Sequence, residues 1–132
     1  MNKSLVQRIL AFPFSGRQSA LSKSRPSLSA SDFVGLIRDS GGDVEAAKII
    51  HSKLQDWIYH QSFTPYPGDS LASVFGIAEE ELDEDLILDV FSILELATPS
   101  EPELKAFGVI DTATDIARLV ALTRSIEQPS AT

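Results

Sequence analysis

The chain has 132 residues, a formal net charge of −8 and no cysteine, and its length is that of one domain. The absence of cysteine excludes disulfides, thiolate metal sites and thiol nucleophiles. No segment approaches the roughly twenty consecutive apolar residues that span a bilayer.

The charge is divided unevenly along the chain. Residues 1–30 contain five bases and no acid; the bases are Lys3, Arg8, Arg17, Lys23 and Arg25. Residues 31–132 hold the other six bases and all nineteen acids, a formal charge of −13. We therefore expect a basic arm over 1–30 and an acidic domain over 31–132, which repels nucleic acid and attracts basic protein partners.

The arm has two parts. Residues 3–12 carry apolar side chains at helical spacing and are followed by Pro13, so they predict a short amphipathic helix. Residues 15–30 are rich in serine and without periodicity, and they predict a flexible linker. The arm is interpreted as a tail lying against its own acidic domain, as a tether to a membrane or nucleic acid, or as an organelle transit sequence. Apart from that last interpretation, the chain is expected to be cytoplasmic.

The acidic domain opens with two helix signals. Residues 29–32 resemble a capping box, with Asp32 in place of the usual Glu, and predict one or two helical turns that stop at Gly41-Gly42. Asp43 then caps a helix predicted over 44–61. The predicted core face of that helix is Ala47, Ile50, Leu54, Trp57 and Ile58.

A proline-rich turn at 64–68 ends this helix, and a short apolar stretch at 71–75 follows it. A second long helix is predicted over 79–96, with a core face of Leu82, Leu86, Val90, Ile93 and Leu94. One more turn is expected over 103–107. A final helix beginning at 112–115 is expected to turn Ile116, Leu119, Val120 and Ile126 inward. The predicted fold is all-α: a small four-helix bundle with an extra short N-terminal helix and a flexible basic arm.

No arrangement of side chains predicts catalysis or metal binding. The two histidines, His51 and His60, lie nine residues apart on one predicted helix and so face opposite ways. The acids between Glu79 and Asp85 are bunched without the mid-loop glycine of a calcium loop. They lie at the positive end of a helix dipole. We expect a surface for Lys and Arg of a partner, formed by Glu80, Glu81, Glu84 and Asp85.

Three stretches of sequence resemble acyl carrier proteins. They are VEAAKIIHSKLQDWI (44–58), GDSLASVFGIAEEELDEDLILDVFSIL (68–94) and FGVIDTATDIARLVALT (107–123). The resemblance covers residues from about 44 to 125. It implies a small acidic four-helix bundle in which a Leu-Gly pair precedes an acidic recognition helix, and a phosphopantetheine group attached to the Ser of an Asp-Ser-Leu triplet.

Two alignments to that family lead to different functions. Asp69-Ser70-Leu71 matches the triplet and would make Ser70 the phosphopantetheine site of an acyl or peptidyl carrier. Aligning Phe75-Gly76-Ile77 with the Leu-Gly pair instead keeps the long second helix and places Glu81 at the attachment position. We favour the second alignment. It implies a non-catalytic interaction domain without a cofactor that presents the 79–96 helix to a basic partner.

Overall fold

A computed structural model of the protein describes residues 12–127, and every regular element in that range is a helix. Six helices are described: α1 Phe12–Ser24, α2 Ala30–Asp39, α3 Val44–Leu54, α4 Glu79–Ile93, α5 Glu101–Phe107 and α6 Ala113–Glu127. This confirms the predicted all-α class. None of the described helices is long and apolar enough to cross a membrane. The helix predicted over 3–12 falls almost entirely outside the described residues.

Local capping explains where α2 and α3 begin. The Ser29 hydroxyl accepts a hydrogen bond from the Asp32 amide at 3.0 Å, and the Asp43 carboxylate accepts from the Ala46 amide at 2.9 Å. Each cap satisfies an amide that has no partner within its own helix. Both starts were predicted from the sequence and are confirmed.

The turn between α2 and α3 depends on Gly42. A Cβ atom at this position would lie 2.4 Å from Cγ2 of Ile37 and 2.9 Å from Cβ of Ala117. Only glycine therefore lets the turn approach α6 this closely. The next amide, that of Asp43, donates to the carbonyl of Ala117 at 2.9 Å and ties the turn to α6.

The core lies between α2, α3, α4 and α6. Its fully buried members include Phe33, Ile37, Ala47, Ile50, Leu54, Val90, Phe91, Ile116 and Val120. Burial of each large apolar side chain stabilises the fold by about 1.5–3 kcal/mol. The predicted helix over 44–61 is shorter than expected: α3 ends at Leu54 and continues only as a 3₁₀ turn, Gln55–Trp57.

Two predicted core residues are exposed. α4 is π-helical over Leu82–Ile87, and the wider turn shifts the following residues around the helix. As a result Ile87 and Phe91 join Leu86 and Val90 in the core, while Ile93 is 53% exposed. Ile126, near the end of α6, is 65% exposed. The predictions for Ile93 and Ile126 were wrong.

The predicted linker over 15–30 was also wrong for most of its length. Residues 15–24 belong to α1, whose described residues also include Pro13. The helix gave no periodic apolar signal because its most deeply buried side chain is polar: Gln18 is fully buried.

Gln18 joins α1 to the connection between α3 and α4. Its Nε2 donates to the carbonyls of Trp57 and Val74 at 3.0 and 3.1 Å. Its Oε1 accepts from the amides of Tyr59 and His60 at 2.7 and 3.3 Å. One buried carboxamide therefore satisfies backbone groups from two separate parts of this connection, as buried polar groups require.

Arg25 makes the second attachment, just after α1. Its two terminal nitrogens each lie 2.7 Å from an oxygen of Asp69, which is 7% exposed. The guanidinium also lies over the ring of Tyr66, 3.9 Å from the ring centroid. A bidentate pair that is also stacked on an aromatic ring fixes the arginine in one orientation. The flexible-arm interpretation therefore fails for residues 12–25.

We predict that Gln18→Met lowers the free energy of unfolding by about 2–4 kcal/mol, since methionine fills similar space but leaves buried carbonyls and amides unpaired. Urea unfolding measured by circular dichroism provides the test. Gln55→Met is the matched control: the Gln55 side chain is exposed and, among the described residues, donates only to the His51 carbonyl, so this change should stay within about 0.5 kcal/mol. Equal effects of the two substitutions would contradict the role given to Gln18.

Candidate functional site

The head of α4 carries the densest group of charges in the described chain. Five of its six acids between residues 79 and 85 are exposed: Glu79, Glu80, Asp83, Glu84 and Asp85. Their positions in the first turns of α4 place them beside its unpaired amides, where negative charge is favourable. The helix N-terminus accounts for this cluster without a bound cation.

Glu81 differs from its neighbours because it serves the helix itself. Its Oε1 accepts from the Ala78 amide at 3.1 Å, and the side chain is half-buried. It also acts on Tyr59: burial raises the pKa of the Tyr59 phenol, and the negative charge of Glu81 raises it further. Glu81 is therefore part of the junction between α4 and the preceding connection, in addition to its place in the acidic head.

An open groove of about 650 Å³ lies between α4, α5 and the segment 108–111. We call it the acidic groove. Its apolar lining is Ala72, Ile77, Leu82, Leu104, Val109 and Ile110, and its charged lining is Glu79, Asp83, Glu101, Asp111 and Lys105. Val109 is 87% exposed. The groove thus combines an aliphatic floor with four carboxylates against one ammonium group.

The acids that line the acidic groove are not the acids that the sequence predicted as the partner-binding surface. Of the α4 carboxylates, those of Glu79 and Asp83 line it. Residues 79, 82 and 83 share one helix face by their spacing, whereas Glu80 and Glu84 lie on the next face. The four predicted partner-binding acids are near the groove, but none of them lines it. A sequence signal existed: Leu82 is the apolar residue flanked on its own face by two acids.

The α5 wall of the acidic groove is fixed by its own cap. The Ser100 hydroxyl accepts from the Glu103 amide, and the Glu103 carboxylate accepts from the Ser100 amide at 2.9 Å. Hydrogen bonds to the Glu103 carboxylate, first from the Ser100 backbone and then from the Ser100 side chain, lower the pKa of Glu103. The capping box begins α5 at Glu101 and so places Leu104 and Lys105 at the groove.

Ser70 lies in a different setting from the start of a long helix. Its hydroxyl accepts from the Ser73 amide at 3.1 Å, and the chain then makes one turn over 71–75 before reaching Gly76. The preceding residue, Asp69, is held by Arg25 and also accepts from the Tyr66 amide at 2.9 Å. Ser70 is therefore separated from α4 by eight residues, 71–78.

Gly76 and Glu81 lie on either side of the point where α4 begins. Gly76 has a φ of 72° and precedes α4, and a Cβ there would lie 2.6 Å from the ring of Phe14. Glu81 is the third residue of α4. This fold therefore needs glycine at position 76, because Phe14 of α1 packs directly against the backbone there.

His51 lies against an aromatic side chain of the core. The ring of His51 packs edge-on against Phe33 with centroids 4.9 Å apart, and burial lowers its pKa. Across residues 12–127, no group of three or more histidines and acids is arranged to hold a metal ion.

Comparisons with known proteins add no further constraint. No family model, curated protein or solved structure matches the chain. The functional proposal below therefore rests on the charge and geometry of the described residues.

We predict that Glu81→Gln lowers the pKa of Tyr59, because removing the nearby negative charge makes the phenolate less unfavourable. The pKa should stay above its ordinary value, since the larger cause, burial, is unchanged. An alkaline titration of tyrosinate absorbance measures it, with Tyr66, the other of the two tyrosines, as the internal reference. An unchanged Tyr59 titration would place Glu81 away from the ring.

We predict that incubation with a phosphopantetheinyl transferase and coenzyme A leaves the intact mass of the protein unchanged, because Ser70 caps a single turn and does not begin a long helix. Intact-protein mass spectrometry is the measurement, with an authentic carrier protein as the positive control. A gain of one phosphopantetheine mass that disappears in Ser70→Ala would establish the first alignment instead.

Proposed function

We propose that this protein is a non-catalytic interaction domain whose acidic groove and adjoining α4 head bind a basic, amphipathic segment of a partner protein. The observation that carries the proposal is the composition of the groove: an aliphatic floor edged by four carboxylates. A partner segment with apolar residues on one face and Lys or Arg beside them matches both properties.

The apolar floor supplies affinity that exposed charges alone do not. Each ion pair between exposed side chains contributes about 0–1 kcal/mol. Covering apolar surface adds about 25 cal/mol for each Å² removed from water. Val109, which is almost fully exposed, gives the partner such surface, together with Leu82 and Leu104 of the same groove. The groove therefore favours a segment that is apolar as well as basic.

The charges supply rate and selectivity. With a formal charge of −8 on the whole chain and six acids between residues 79 and 85, the α4 head attracts a basic partner over distance. This attraction speeds association and weakens as salt rises. Acidic partners and nucleic acid are repelled by the same field.

The resemblance to acyl carrier proteins supports this proposal in one respect. That family presents an acidic second helix to basic partners, and α4 is the corresponding acidic helix of this chain. The order of a long helix, a connection, an acidic helix, a short helix and a last helix is similar to theirs. The second alignment, with Glu81 at the attachment position, makes the cofactor unnecessary for the proposed interaction.

A second candidate function is a tether, in which the basic arm binds a membrane or nucleic acid. Part of the positive charge of the arm is already engaged by contacts within the protein. Arg25 is paired with Asp69. Arg17 donates to the Ser73 carbonyl at 2.5 Å. These two of the five arm bases therefore already have partners within the protein, which favours the groove proposal over the tether.

We predict that a synthetic helical Lys/Leu peptide of about fifteen residues, roughly 22 Å long, binds the protein saturably. The double substitution Glu79→Lys/Asp83→Lys should weaken this binding about tenfold or more. Glu80→Lys/Glu84→Lys should weaken it less, because these side chains lie beside the groove. Fluorescence anisotropy at several salt concentrations gives the affinities.

Two controls separate the groove from general acidity. A peptide with the same lysines and serine in place of leucine should bind weakly, since it cannot cover the apolar floor. Asp56→Lys/Glu127→Lys changes the net charge equally at exposed positions outside the groove and should bind nearly as the unaltered protein does. An equal loss of peptide affinity in all three double variants would show that binding depends on net charge alone and would refute the groove proposal.

A further inference from the structure

A second groove, of opposite character, lies between α2 and α3. It measures about 440 Å³ and is lined by Val34, Gly35 and Arg38 of α2 and by Val44, Lys48 and His51 of α3, with two small residues at the start of α2. No carboxylate of the described chain lines it. In a protein with nineteen acids, a groove edged only by bases is a local exception. We call it the basic groove.

The cations of the basic groove are available to a partner. Among the described residues Lys48 has no ion pair. Within residues 12–127 Arg38 pairs only with its neighbour Asp39, at 3.3 Å, and both of those side chains are about two-thirds exposed. Such an exposed pair contributes little and exchanges readily for a better-placed carboxylate.

Gly35 gives the groove its width. It lies in the interior of α2, where glycine costs about 1 kcal/mol relative to alanine. Internal packing does not require it, because a Cβ atom there would meet only Nη2 of Arg38, at 3.8 Å. The space that its missing side chain leaves belongs to the groove.

The basic groove has the dimensions of a peptide site. The lining runs from Ser31 to Arg38 along α2 and from Val44 to His51 along α3, about 10 Å, or two turns, of each helix. Beyond Lys48 the surface continues into a shallow depression lined by Ile49, Lys53 and the exposed Ile93. A small free anion would meet only solvent-exposed cations here, whereas a peptide also covers the apolar surface at Val34 and Val44.

We infer that the basic groove is a second docking site, and that it binds an acidic amphipathic helical segment of a protein partner. Carboxylates of that segment pair with Arg38 and Lys48, and its apolar face lies over Val34, Gly35 and Val44. Helix-in-groove binding needs this combination of an apolar seam and flanking charge. A nucleic acid fits less well, because its many phosphates would face the −13 charge of residues 31–132.

The test uses the full chain, labelled with ¹⁵N, and a capped helical peptide of about twelve residues built from Glu and Leu, roughly 18 Å long. We expect saturable shifts of the Val34, Gly35 and Lys48 amides that weaken as salt rises. Lys48→Glu and Gly35→Trp should each reduce the affinity at least about tenfold, the first by repulsion and the second by filling the groove.

The controls are matched in charge and in bulk. Lys23→Glu makes the same charge change on exposed α1, and Gly16→Trp adds the same bulk at a glycine with no atom within 4 Å of its Cβ position. Neither should alter the affinity. Circular dichroism of all four variants checks that they remain folded, and Arg38→Glu replaces Lys48→Glu or Gly35→Trp if either of these does not.

Three outcomes would overturn the inference: no binding of the Glu/Leu peptide, shifts located elsewhere, or losses that the control variants share. Tighter binding of single-stranded DNA at the same amides would assign the groove to nucleic acid instead. Concentration-dependent dimerisation abolished by Lys48→Glu would assign it to a second copy of this chain. The Lys/Leu peptide and the Glu79/Asp83 variants test the acidic groove separately, so either site can fail without the other.

Discussion

The fold depends on how the long connection between α3 and α4 obtains partners for its backbone. Residues 58–78 contain no regular helix, yet Phe63, Leu71 and Phe75 are buried in them. A buried segment of this kind must find hydrogen-bond partners elsewhere in the chain. Gln18 supplies three of them from one side, to Val74, Tyr59 and His60. The segment before α6 supplies others, including the Asp111 carbonyl, which accepts from the Leu71 amide at 2.7 Å. Once held in this way, the connection brings Ala72 and Ile77 to the acidic groove and sets the point where α4 begins.

The distribution of charge gives the domain two unlike surfaces. The acidic groove lies between α4 and α5, and the basic groove lies between α2 and α3. In both, side chains of one sign of charge flank an apolar floor, so each favours amphipathic segments of the opposite charge. Under the two proposals the protein is an adaptor: a basic segment and an acidic segment bind to different helix pairs of the same small core. The net charge still favours the basic partner at long range, because the basic groove is a local exception in an acidic field.

Helix starts were the most predictable part of the fold, because a cap is a contact between residues three apart. Ser29 and Asp43 cap α2 and α3 as their sequence context predicts. Apolar periodicity also located α4 and α6, and it located α3 although that helix ends earlier than predicted. It failed where the helix departs from 3.6 residues per turn. Because part of α4 is π-helical, Phe91 is buried in the core, whereas Ile93, the predicted core residue, is exposed. It failed again at α1, whose anchors Gln18 and Arg25 are polar and act through single contacts rather than through an apolar stripe.

The sequence by itself determined the helical class, the capped helix starts, the acidic head of α4 and the absence of thiol chemistry. These follow from composition and from spacings of a few residues. Only the tertiary structure decided that α1 packs against the domain, that Glu79 and Asp83 face a groove while Glu80 and Glu84 lie beside it, and that Gly35 opens a basic groove. Each of these depends on residues far apart in the chain: Gln18 with Val74, Leu82 with Leu104, and Arg38 with Lys48. A shared location of this kind leaves no local pattern, because either residue alone resembles an ordinary surface residue until the fold brings the two together.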